Sequence, residues 1–357
     1  MRARLPLSEA PESICILRIS ALGDVTHVLP VVNAIRRQWP QARLSWIIGV
    51  RERRLLRHVS GIEFIEFDKR GGLDAVRQLR RQLKARRFDV LLHMQVAARA
   101  NLLSCMVPAA VKLGWDRARS RDLHHWFTHH SVPAAPFQHQ VEGFLSFAHR
   151  LGAAPAEPEW HLPVAAEDRS WVAQFVDDQL PLLVISPCSS HPLRNWCAEG
   201  YARVADHAAA GLGMQVVLSG GPGQANARMA DSIQAMMQTH AINLVGKDTL
   251  PQLIALLDRA DVVLSPDSGP AHIASALGTP VIGLYAATWS RRSGPYRSLD
   301  LCVDRFREAA RLFRKREPEA LRWGTRIEVP GVMDLIRAED VIEQLDTLPG
   351  RGQRNAS

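Results

Sequence analysis

Short apolar runs alternate with helix-like stretches along the chain, and this alternation constrains the fold more than any other sequence feature. Four runs rich in Val, Ile and Leu are typical of buried parallel strands: Ile14–Ser20, Arg43–Val50, Ile62–Asp68 and Phe88–His93. The stretches Val25–Trp39 and Leu73–Arg86 lie between them and have the apolar periodicity of helices. Strands that alternate with helices at this spacing predict βαβ units and a parallel sheet.

A second series of strands and helices begins after a break in this pattern. Prolines and small residues gather between Gly152 and Asp168, which predicts a linker. The strand-like run Pro181–Pro187 opens the second series. The predicted helices that follow are Ala198–Ala210, Asn226–Met237 and Leu250–Arg259. A chain of 357 residues, 46% of them hydrophobic, is long enough for two cores.

We therefore predict an α/β protein with two Rossmann-like, doubly wound parallel-sheet domains that face each other across a cleft. The first domain is predicted to span residues 1–165 and the second to span residues 166–335. A C-terminal helix over residues 336–348 is predicted to pack near the domain junction. Residues 349–357 are predicted to form a flexible tail.

The charge of the chain favours anionic partners. Lys and Arg number 44 against 36 Asp and Glu, a surplus that attracts nucleotide diphosphates, phosphorylated sugars or acidic lipid surfaces. The cations are dispersed rather than gathered in a nucleic-acid tail, so no nucleic-acid partner is expected. The basic, helix-like stretch Arg305–Gly324 is interpreted as a solvated face.

Cysteine usage and hydropathy indicate the compartment. The five cysteines form no CxxC pair, which disfavours a disulfide framework or a zinc site and favours a reducing compartment. No apolar stretch approaches the roughly 20 residues that a membrane span needs. We therefore expect a cytoplasmic protein.

The first candidate site is the junction RISALGDVTH, where the first strand meets the next helix. Gly23 there would let backbone N–H groups turn toward a ligand, and the helix N-terminus adds a partial positive charge. Asp24 follows at or near the N-cap, where aspartate is common for structural reasons alone. The alternative is a general base at the carboxyl ends of the strands, where open α/β sheets bind ligands.

A second candidate site is the segment SPDSGPAHIASALG. A strand is predicted to end at Asp267 and a helix to begin near Ala271. Ser268 and Gly269 between them offer a hydroxyl and backbone donors to a diphosphate, and His272 in the first helical turn could donate a hydrogen bond to it. The alternative is an ordinary capping turn with a half-buried histidine.

Two further loops follow strands of the second series. SPCSSHPLRNW carries hydroxyls at Ser189 and Ser190 and a cation at Arg194, and SGGPGQANA is a Gly-rich turn that contains Gln224. Neither loop fits the P-loop pattern, and no G-x-G-x-x-G follows the first strand, which disfavours a dinucleotide dehydrogenase. The histidine-rich HHWFTHH, residues 124–130, has intervening residues without ligand character, so no metal site is predicted.

Two segments, in this order and separation, carry a family resemblance. SALGDVTHVLPVVNAIRRQWPQARLSWI and SPDSGPAHIASALGTPVIGLYAATWSRRSGPY resemble glycosyltransferase family 9, the lipopolysaccharide heptosyltransferases. The match extends from Ile14 to about Leu348. It implies a GT-B fold, with the acceptor bound mainly by the N-terminal domain and the nucleotide sugar by the C-terminal domain. It also implies inverting transfer of heptose from ADP-heptose, and the segments VKLGWDRARSRD and FQHQVE resemble the type I enzymes most.

In the first domain, the resemblance places Asp24 on the residue that the family uses as catalytic base. Arg18 stands where the family has a basic residue in the first strand, usually Lys. Arg121 falls on a basic position that would face a phosphate or carboxylate group of the acceptor. His139 matches a histidine-containing stretch of the type I enzymes and is also expected to bind the acceptor.

In the second domain, the resemblance implies a set of donor-binding residues. These are the hydroxyl pair Ser189 and Ser190, and the D-[ST]-G-x-x-H nucleotide motif at Asp267, Ser268, Gly269 and His272. Arg194 replaces the usual Lys with a larger, planar cation. Gln224 replaces the usual Glu with a neutral side chain. These two departures leave the identity of the donor sugar open.

The resemblance also sets expectations for partners and cofactors. We expect an ADP-sugar donor, a Kdo–lipid A or inner-core lipopolysaccharide acceptor, and peripheral contact with the inner membrane. No cofactor is expected to be required, although Mg²⁺ could assist the diphosphate. A family member with another donor or acceptor, a nucleotide-sugar epimerase and a non-catalytic sugar-nucleotide-binding relative are the alternatives.

Overall fold

The chain divides into two compact units in the computed structural model, which describes residues 4–348. The units are Met1–Pro163 and Val164–Ser357. The boundary falls just before residue 165, within the Pro-rich stretch that the sequence marks as a linker. The predicted tail at 349–357 lies outside the described residues.

The first unit is a parallel sheet with helices on its connections. Its strands are β1 (Ser13–Leu17), β2 (Arg43–Gly49), β3 (Glu63–Phe67), β4 (Phe88–His93), β5 (Ala109–Gly114) and β6 (His130–Ser131). Its helices are α1 (Leu22–Thr26), α2 (Leu29–Gln38), α3 (Val50–Leu55), α4 (Gly72–Leu83), α5 (Ala98–Cys105) and α6 (Gln140–Leu151). The strand order is β3-β2-β1-β4-β5-β6, and this is the order of a Rossmann sheet.

The central strands of this unit are buried on both sides. All five residues of β1 are buried, as expected for a strand between two neighbours in a parallel sheet. On one face, Cys15 and Leu17 of β1 share a core cluster with Leu79 and Leu83 of α4 and Leu103 of α5. Alternate residues of a strand point to the same face, so α4 and α5 cover the same side of the sheet.

The single helix predicted over Val25–Trp39 is wrong, because the structure has two helices there. The first, α1, ends at Thr26, and α2 begins at Leu29. Pro30, in the first turn of α2, has no N–H to donate to the carbonyl of Thr26 four residues earlier. The helix therefore restarts at a position where the missing donor costs nothing.

The second unit repeats the same architecture. Its strands are β7 (Leu182–Ile185), β8 (Gln215–Leu218), β9 (Ile242–Asn243), β10 (Val262–Pro266), β11 (Val281–Tyr285) and β12 (Val303–Asp304). Its helices are α7 (Ala166–Val172), α8 (Ala198–Asp206), α9 (Gln224–Met236), α10 (Leu250–Arg259), α11 (Gly269–Leu277), α12 (Ser290–Ser293), α13 (Phe306–Ala309) and α14 (Ala338–Asp346). The strand order, β12-β11-β10-β7-β8-β9, is the same as in the first unit when read from the other edge.

The C-terminal helix belongs to the second unit rather than following it. Val341 and Leu345 of α14 are buried in the same core cluster as Trp196, and the Trp196 indole N–H donates to the carbonyl of Ile336 at 3.0 Å. The second unit therefore extends past the predicted end at residue 335. The C-terminal helix predicted over residues 336–348 is present as α14, Ala338–Asp346, and its packing near the domain junction stays a prediction.

The basic stretch Arg305–Gly324 is only partly helical. After α13 the chain forms a π turn, Ala310–Arg314, and Lys315 then takes a left-handed conformation with φ of +53°. Such a conformation ends a helix. Among the described helices, none is long and apolar enough to cross a membrane.

Candidate active site

Asp24 lies at the carboxyl edge of the first sheet, where the chain leaves β1. The order of the strands reverses between β1 and β4, and this switch point is where open α/β sheets bind ligands. Asp24 is the third residue of α1, and its Oδ2 accepts a hydrogen bond from the Ala21 N–H at 3.2 Å. The N-cap is therefore Ala21 rather than Asp24, but the Asp24 side chain does cap the Ala21 N–H and is 24% exposed.

Two side chains hold this carboxylate. Arg18 Nη2 donates to Oδ2 of Asp24, and Gln140 Nε2 donates to Oδ1. Arg18 is itself fixed, because its Nη1 donates to the Met94 carbonyl at 2.8 Å and its guanidinium lies 5.2 Å from the centroid of the Phe144 ring. Arg18, predicted as an acceptor ligand, is thus also the charge partner of Asp24.

Gln95 fixes the loop between β1 and α1. Its Oε1 accepts hydrogen bonds from the N–H groups of Ile19 at 2.9 Å and Ser20 at 3.1 Å, and its Nε2 donates to Ser20 Oγ at 2.9 Å. Gln95 follows β4, so these bonds join the two strands that form the switch point. The carboxylate of Asp24 therefore stands on a helix whose entry loop is fixed to the end of β4.

His139 and Arg121, the other predicted acceptor residues, differ in their surroundings. His139 is the N-cap of α6, and its Nδ1 accepts from the Val141 N–H at 3.1 Å. A neutral ring in this arrangement carries its proton on Nε2. The next residue, Gln140, is the one that contacts Asp24. Arg121 is exposed in the β5–α6 connection, and no hydrogen bond or ion pair within residues 4–348 joins it to Asp24.

In the second unit the switch point lies between β7 and β10, and the loops after these strands bring three predicted donor residues together. Arg194 Nη1 is 3.9 Å from Oδ2 of Asp267, and His272 Nε2 is 3.6 Å from its Oδ1. Burial by itself would raise the pKa of Asp267. The hydrogen bond and charge of His272, the charge of Arg194 and the Thr288 hydroxyl outweigh burial, so the pKa lies below its ordinary value.

Glu328, which the sequence did not single out, holds Arg194 in place. Its Oε1 accepts from Arg194 Nε at 2.7 Å and from Nη2 at 2.6 Å, and the Arg194 side chain is only 8% exposed. His191 Nε2 is 3.9 Å from the other oxygen, Oε2. The carboxylates of Glu328 and Asp267 therefore balance the positive charge of Arg194, and Nη1 is the guanidinium nitrogen that faces Asp267.

The start of α11 has the features of an anion site. Ser268 is the N-cap, but its hydroxyl makes no bond to a helix amide and lies 2.7 Å from Ser265 Oγ. Ser265 Oγ donates to the Ser186 carbonyl at 3.0 Å, so Ser268 is the donor in the first pair. Gly269 follows as the half-exposed first residue of α11, at a helix end that favours anions.

The remaining predicted donor residues lie on neighbouring loops. Ser189 shapes its own loop, with its N–H bonded to Asn195 Oδ1 at 2.7 Å and its hydroxyl to the His191 carbonyl at 2.9 Å. Ser190 is exposed. Gln224 is exposed at the start of α9, and its Oε1 accepts from Arg228 Nη2 at 3.4 Å. The donor-binding roles of these residues stay predictions.

The histidine-rich segment 124–130 takes part in a buried polar cluster. His93 Nε2 and His124 Nδ1 each lie 3.0 Å from Asn101 Oδ1 and donate to it, while His124 Nε2 accepts from the Trp115 N–H at 3.2 Å. Burial, chiefly, lowers the pKa of His93 to about 3 and that of His124 to about 4. Both rings are therefore neutral near pH 7, and they fasten this segment to β4 and α5.

Sequence reasoning missed three residues that contact the predicted site. Gln140 adjoins His139 in the quoted segment FQHQVE, so the signal was present but was not read. Gln95 lies just beyond the end of a predicted strand, at the edge where ligands bind. Glu328 follows the recognised motifs at a distance, and no pattern in the sequence marks it.

The fold and these sites define a class of enzyme. Two Rossmann-like units, with a fixed carboxylate at the switch point of one and a helix N-terminus at the switch point of the other, fit the architecture of GT-B glycosyltransferases. A family model described as glycosyltransferase family 9 (heptosyltransferase) matches residues 76–321. The chain belongs to glycosyltransferase family 9, and it is an enzyme of the transferase class. The family and the fold predicted from the sequence are confirmed.

Relatives and solved structures agree with this assignment. The chain is 40% identical over 345 residues to the lipopolysaccharide core heptosyltransferase OpsX of Haemophilus influenzae, covering 96% of this chain and 99% of the relative. The fold is similar to a family 9 glycosyltransferase of Veillonella parvula, with a TM-score of 0.78, 22% identity and coverage of 94% and 97% of the two chains. It is also similar to the ADP-heptose lipopolysaccharide heptosyltransferase II of Escherichia coli, with a TM-score of 0.73, 20% identity and coverage of 97% and 100%.

Proposed function

We propose that this protein is an inverting glycosyltransferase that moves a heptose from ADP-heptose to the Kdo or inner-core region of lipopolysaccharide. Family membership supports the reaction class, and the name of the Haemophilus relative supports a lipopolysaccharide core acceptor. The observation that carries the proposal is the carboxylate of Asp24, held by Arg18 and Gln140 at the switch point of the first sheet.

In the proposed reaction, Asp24 acts as general base. An acceptor hydroxyl gives its proton to the carboxylate while its oxygen attacks the anomeric carbon of the donor. The bond from that carbon to the phosphate oxygen breaks, and ADP leaves with the bonding electrons. Attack from the side opposite the leaving group inverts the anomeric centre, so no second carboxylate is needed as a nucleophile.

The two oxygens of Asp24 are not equivalent for this step. Oδ2 pairs with the positive charge of Arg18 and accepts from the Ala21 N–H, whereas Oδ1 accepts from the neutral amide of Gln140. Displacing a neutral donor costs less than displacing a charged one. We therefore assign Oδ1 as the oxygen that receives the proton, with Gln140 moving aside as the acceptor hydroxyl binds.

The proposed donor site is the group of loops at the switch point of the second unit. Arg194 Nη1, His272 and the amide of Gly269 would stabilise the charge that develops on the leaving ADP. Asp267 holds His272 and Arg194 in position for this role. The other proposed donor contacts are the hydroxyls of Ser189, Ser190 and Ser268 and the amide of Gln224.

The proposed acceptor contacts lie in the first unit. Arg18, Arg121 and His139 would face the phosphate and carboxylate groups of a Kdo-containing acceptor. The type I acceptor preference rests on the segments 111–122 and 137–142. Because such an acceptor is anchored in lipid, we propose that the protein acts from the cytoplasmic side with peripheral contact to the inner membrane.

We further propose that the reaction needs no cofactor and that Mg²⁺, where it binds, accompanies the diphosphate of the donor. Turnover measured in EDTA and again with added Mg²⁺ tests this proposal. Complete loss of turnover in EDTA, with recovery on adding Mg²⁺, would contradict it.

The experiment that tests the function is a turnover screen with the purified full-length protein. Release of nucleoside diphosphate is measured with ADP-heptose, ADP-glucose, GDP-sugars and UDP-sugars, each with and without Kdo–lipid A. We expect ADP release that depends on both ADP-heptose and the acceptor. Turnover with another nucleotide sugar would show that Arg194 and Gln224 have changed the donor preference, and an acceptor-free sugar product would indicate an epimerase.

A further inference from the structure

The net positive charge of the chain comes entirely from the first unit. Residues 1–163 contain 24 Arg and Lys against 14 Asp and Glu, whereas residues 164–357 contain 20 against 22. The second unit, which holds the proposed ADP-sugar site, is therefore slightly acidic overall. An anionic nucleotide does not explain the basic surplus, because that surplus lies on the other unit.

Much of this surplus lies on α4 and its flanks. Residues 70–87 contain seven Arg and Lys and one acidic residue. On α4, Leu79 and Leu83 face the core, while Arg80, Arg81 and Lys84 are exposed. The spacing of these three cations places them on the outer side of the helix.

No carboxylate within residues 4–348 forms an ion pair with Arg80, Arg81 or Lys84. The neighbouring cations differ in this respect, since Arg77 pairs with Asp74 at 2.8 Å and Arg86 pairs with Glu63. The outer side of α4 thus presents three cations that the fold itself does not neutralise. Charge of this kind is complementary to an anionic surface.

The most exposed apolar side chains of the described residues lie on the same unit. Among the large hydrophobic residues described, Trp126 is 73% exposed, Leu73 is 72% exposed and Leu102 is 65% exposed. Leu73 lies near the start of α4, seven residues before Arg80, the first of the three cations. Leu102 lies on α5. Trp126 ends a short 3₁₀ turn whose first residue, His124, is bonded to Asn101 of α5.

These elements are close in the fold. Helices α4 and α5 share one core cluster on the same face of the sheet, and the turn with Trp126 is fastened to α5. The turn and the starts of α4 and α5 stand at the carboxyl edge of the sheet, which is also the edge of Asp24, whereas Arg80, Arg81 and Lys84 lie toward the amino edge, at the far end of α4. Exposed cations together with protruding Leu and Trp side chains on one layer are typical of surfaces that sit at a lipid headgroup layer.

We propose that a docking face, formed by Leu73, Arg80, Arg81, Lys84, Leu102 and Trp126, binds the surface of an anionic phospholipid bilayer. Arg80, Arg81 and Lys84 meet the phosphate headgroups, and the three apolar side chains enter the headgroup layer. This inference rests on the proposed function, because a lipid-anchored acceptor gives the first unit a reason to sit on a membrane. It goes further by assigning the contact to one face and to anionic lipid.

The test is binding of the full-length protein to vesicles. Vesicles of phosphatidylethanolamine with roughly one third phosphatidylglycerol are compared with vesicles of phosphatidylcholine alone, by sedimentation at low and high salt. We expect binding to the anionic vesicles that weakens with salt, and little binding to phosphatidylcholine. The variant R80Q/R81Q/K84Q should bind about 100-fold more weakly, and L102S/W126S should also lose affinity.

A matched control removes the same charge elsewhere. R314Q/K315Q/R316Q takes three exposed cations from the second unit and should leave vesicle binding nearly unchanged. Equal losses in the two triple variants would mean that only net charge matters, and would overturn the docking face. Undiminished binding of R80Q/R81Q/K84Q would overturn it as well. A third outcome would also overturn it: a wild-type protein that is a dimer, and that L102S/W126S dissociates without changing vesicle affinity. In that case Leu102 and Trp126 would contact a second copy of the chain.

A second readout separates this inference from the proposed function. Turnover of ADP-heptose with a water-soluble, deacylated acceptor should be unchanged in R80Q/R81Q/K84Q, whereas turnover with the acceptor embedded in anionic vesicles should fall. Equal turnover of the variant and the wild type on embedded acceptor would overturn the docking face and leave the function intact. Absence of ADP-heptose turnover in the wild type, with vesicle binding retained, would overturn the function alone.

Discussion

The side chains around Asp24 and Arg194 show two ways of balancing a charge at a site. The carboxylate of Asp24 accepts hydrogen bonds from the guanidinium of Arg18 on Oδ2 and from the amide of Gln140 on Oδ1. The guanidinium of Arg194 lies between two carboxylates. It donates hydrogen bonds to Glu328, and its Nη1 is 3.9 Å from Oδ2 of Asp267. In the first case the amide of Gln140 brings no charge to the oxygen that it contacts. In the second case the cation lies in surroundings that are already acidic.

We expect Asp24→Asn to lower the rate of heptose transfer by roughly 10²- to 10⁴-fold, the usual contribution of a general base. The amide keeps the shape of the side chain but cannot take up the proton. Affinity for ADP, measured by calorimetry, should stay within about two-fold, because the proposed donor site is on the second unit. Asp74→Asn removes an exposed carboxylate of the same unit and serves as the control. Substantial turnover of Asp24→Asn would reduce Asp24 to a helix cap.

The position of Glu328 beside Arg194 predicts the direction in which its substitution changes the affinity for ADP. We expect Glu328→Gln to bind ADP roughly ten-fold more tightly, because the amide oxygen still accepts from Arg194 while the charge that repels a diphosphate is gone. Glu328→Ala removes the charge and the acceptor together, so Arg194 loses its support and ADP should bind more weakly than to Glu328→Gln. Calorimetric titration of both variants checks this, and equal losses of affinity in both would contradict it.

At the scale of elements, the buried cluster of His93, Asn101 and His124 joins β4, α5 and the β5–α6 connection. Both imidazoles donate to one amide oxygen, so the amide keeps both rings in a fixed tautomer. Neither ring can gain a proton without losing an acceptor or placing a charge in the core. The connection that carries Arg121 and Trp126 is therefore held by groups whose charge state depends on pH.

We expect the first unit to lose stability as the pH falls. The folded-state pKa values, about 3 for His93 and about 4 for His124, lie below the unfolded value of 6.5. The unfolded chain therefore binds more protons below pH 6.5, and the stability present above that pH is lost as the pH decreases. Between pH 7 and pH 5 the loss should be about 2 kcal/mol for each histidine.

Urea unfolding at both pH values, followed by amide hydrogen exchange of peptides from β1 and β4, measures this loss. His93→Leu should remove about half of the pH dependence, since one of the two titrating groups is gone. His240→Gln, at an exposed histidine of the second unit, should leave it unchanged. A stability of the wild type that is flat from pH 7 to pH 5 would disprove the assignment of neutral, buried rings.

The sequence predicted elements well where periodicity and local chemistry agree. Helix α10 has the predicted bounds, Leu250–Arg259, because a Thr249 cap and a continuous apolar face both mark it. Edge strands such as β6 and β12 are two residues long and carry no detectable period. The break at Pro30 was present in the sequence, yet the apolar periodicity on either side of it favoured one helix.

Prediction of the site was limited by long-range contacts. Asp24 and Asp267 stand out in the sequence because they follow strands, and the ends of strands can be found from periodicity. The partners Gln140 and Glu328 come from elsewhere in the chain and meet Asp24 and Arg194 only after folding. A single sequence contains no signal that pairs Gln140 with Asp24 or Glu328 with Arg194. The family resemblance suggested roles for Asp24 and Arg194, but it did not identify the side chains that hold them.

At the scale of the whole molecule, the two units differ in charge while sharing a strand order. The first is strongly basic, and the second is close to neutral. Long-range attraction for anions therefore acts mainly on whatever binds to the first unit. Local hydrogen bonds and a helix N-terminus have to capture anions on the second unit.

We expect ionic strength to separate the two substrates. Raising salt from about 50 mM to about 300 mM shortens the screening length from above 10 Å to below 8 Å. The KM for a phosphorylated, water-soluble acceptor should rise several-fold, because the field of the first unit is screened. The KM for ADP-heptose should change less. Steady-state kinetics with each substrate varied in turn provide the measurement, and a larger effect on the donor would contradict this assignment of charge.

The repeated strand order has a consequence for how such an enzyme can change over time. Each unit is encoded by one uninterrupted stretch of the gene, with the division near the codon for Pro163. A single recombination event there would exchange a complete sheet together with all of its loops, without cutting through either core. If the donor and acceptor sites are divided between the units as proposed, lineages can diversify the sugar they transfer and the glycan they extend separately, each by altering one half of the reading frame.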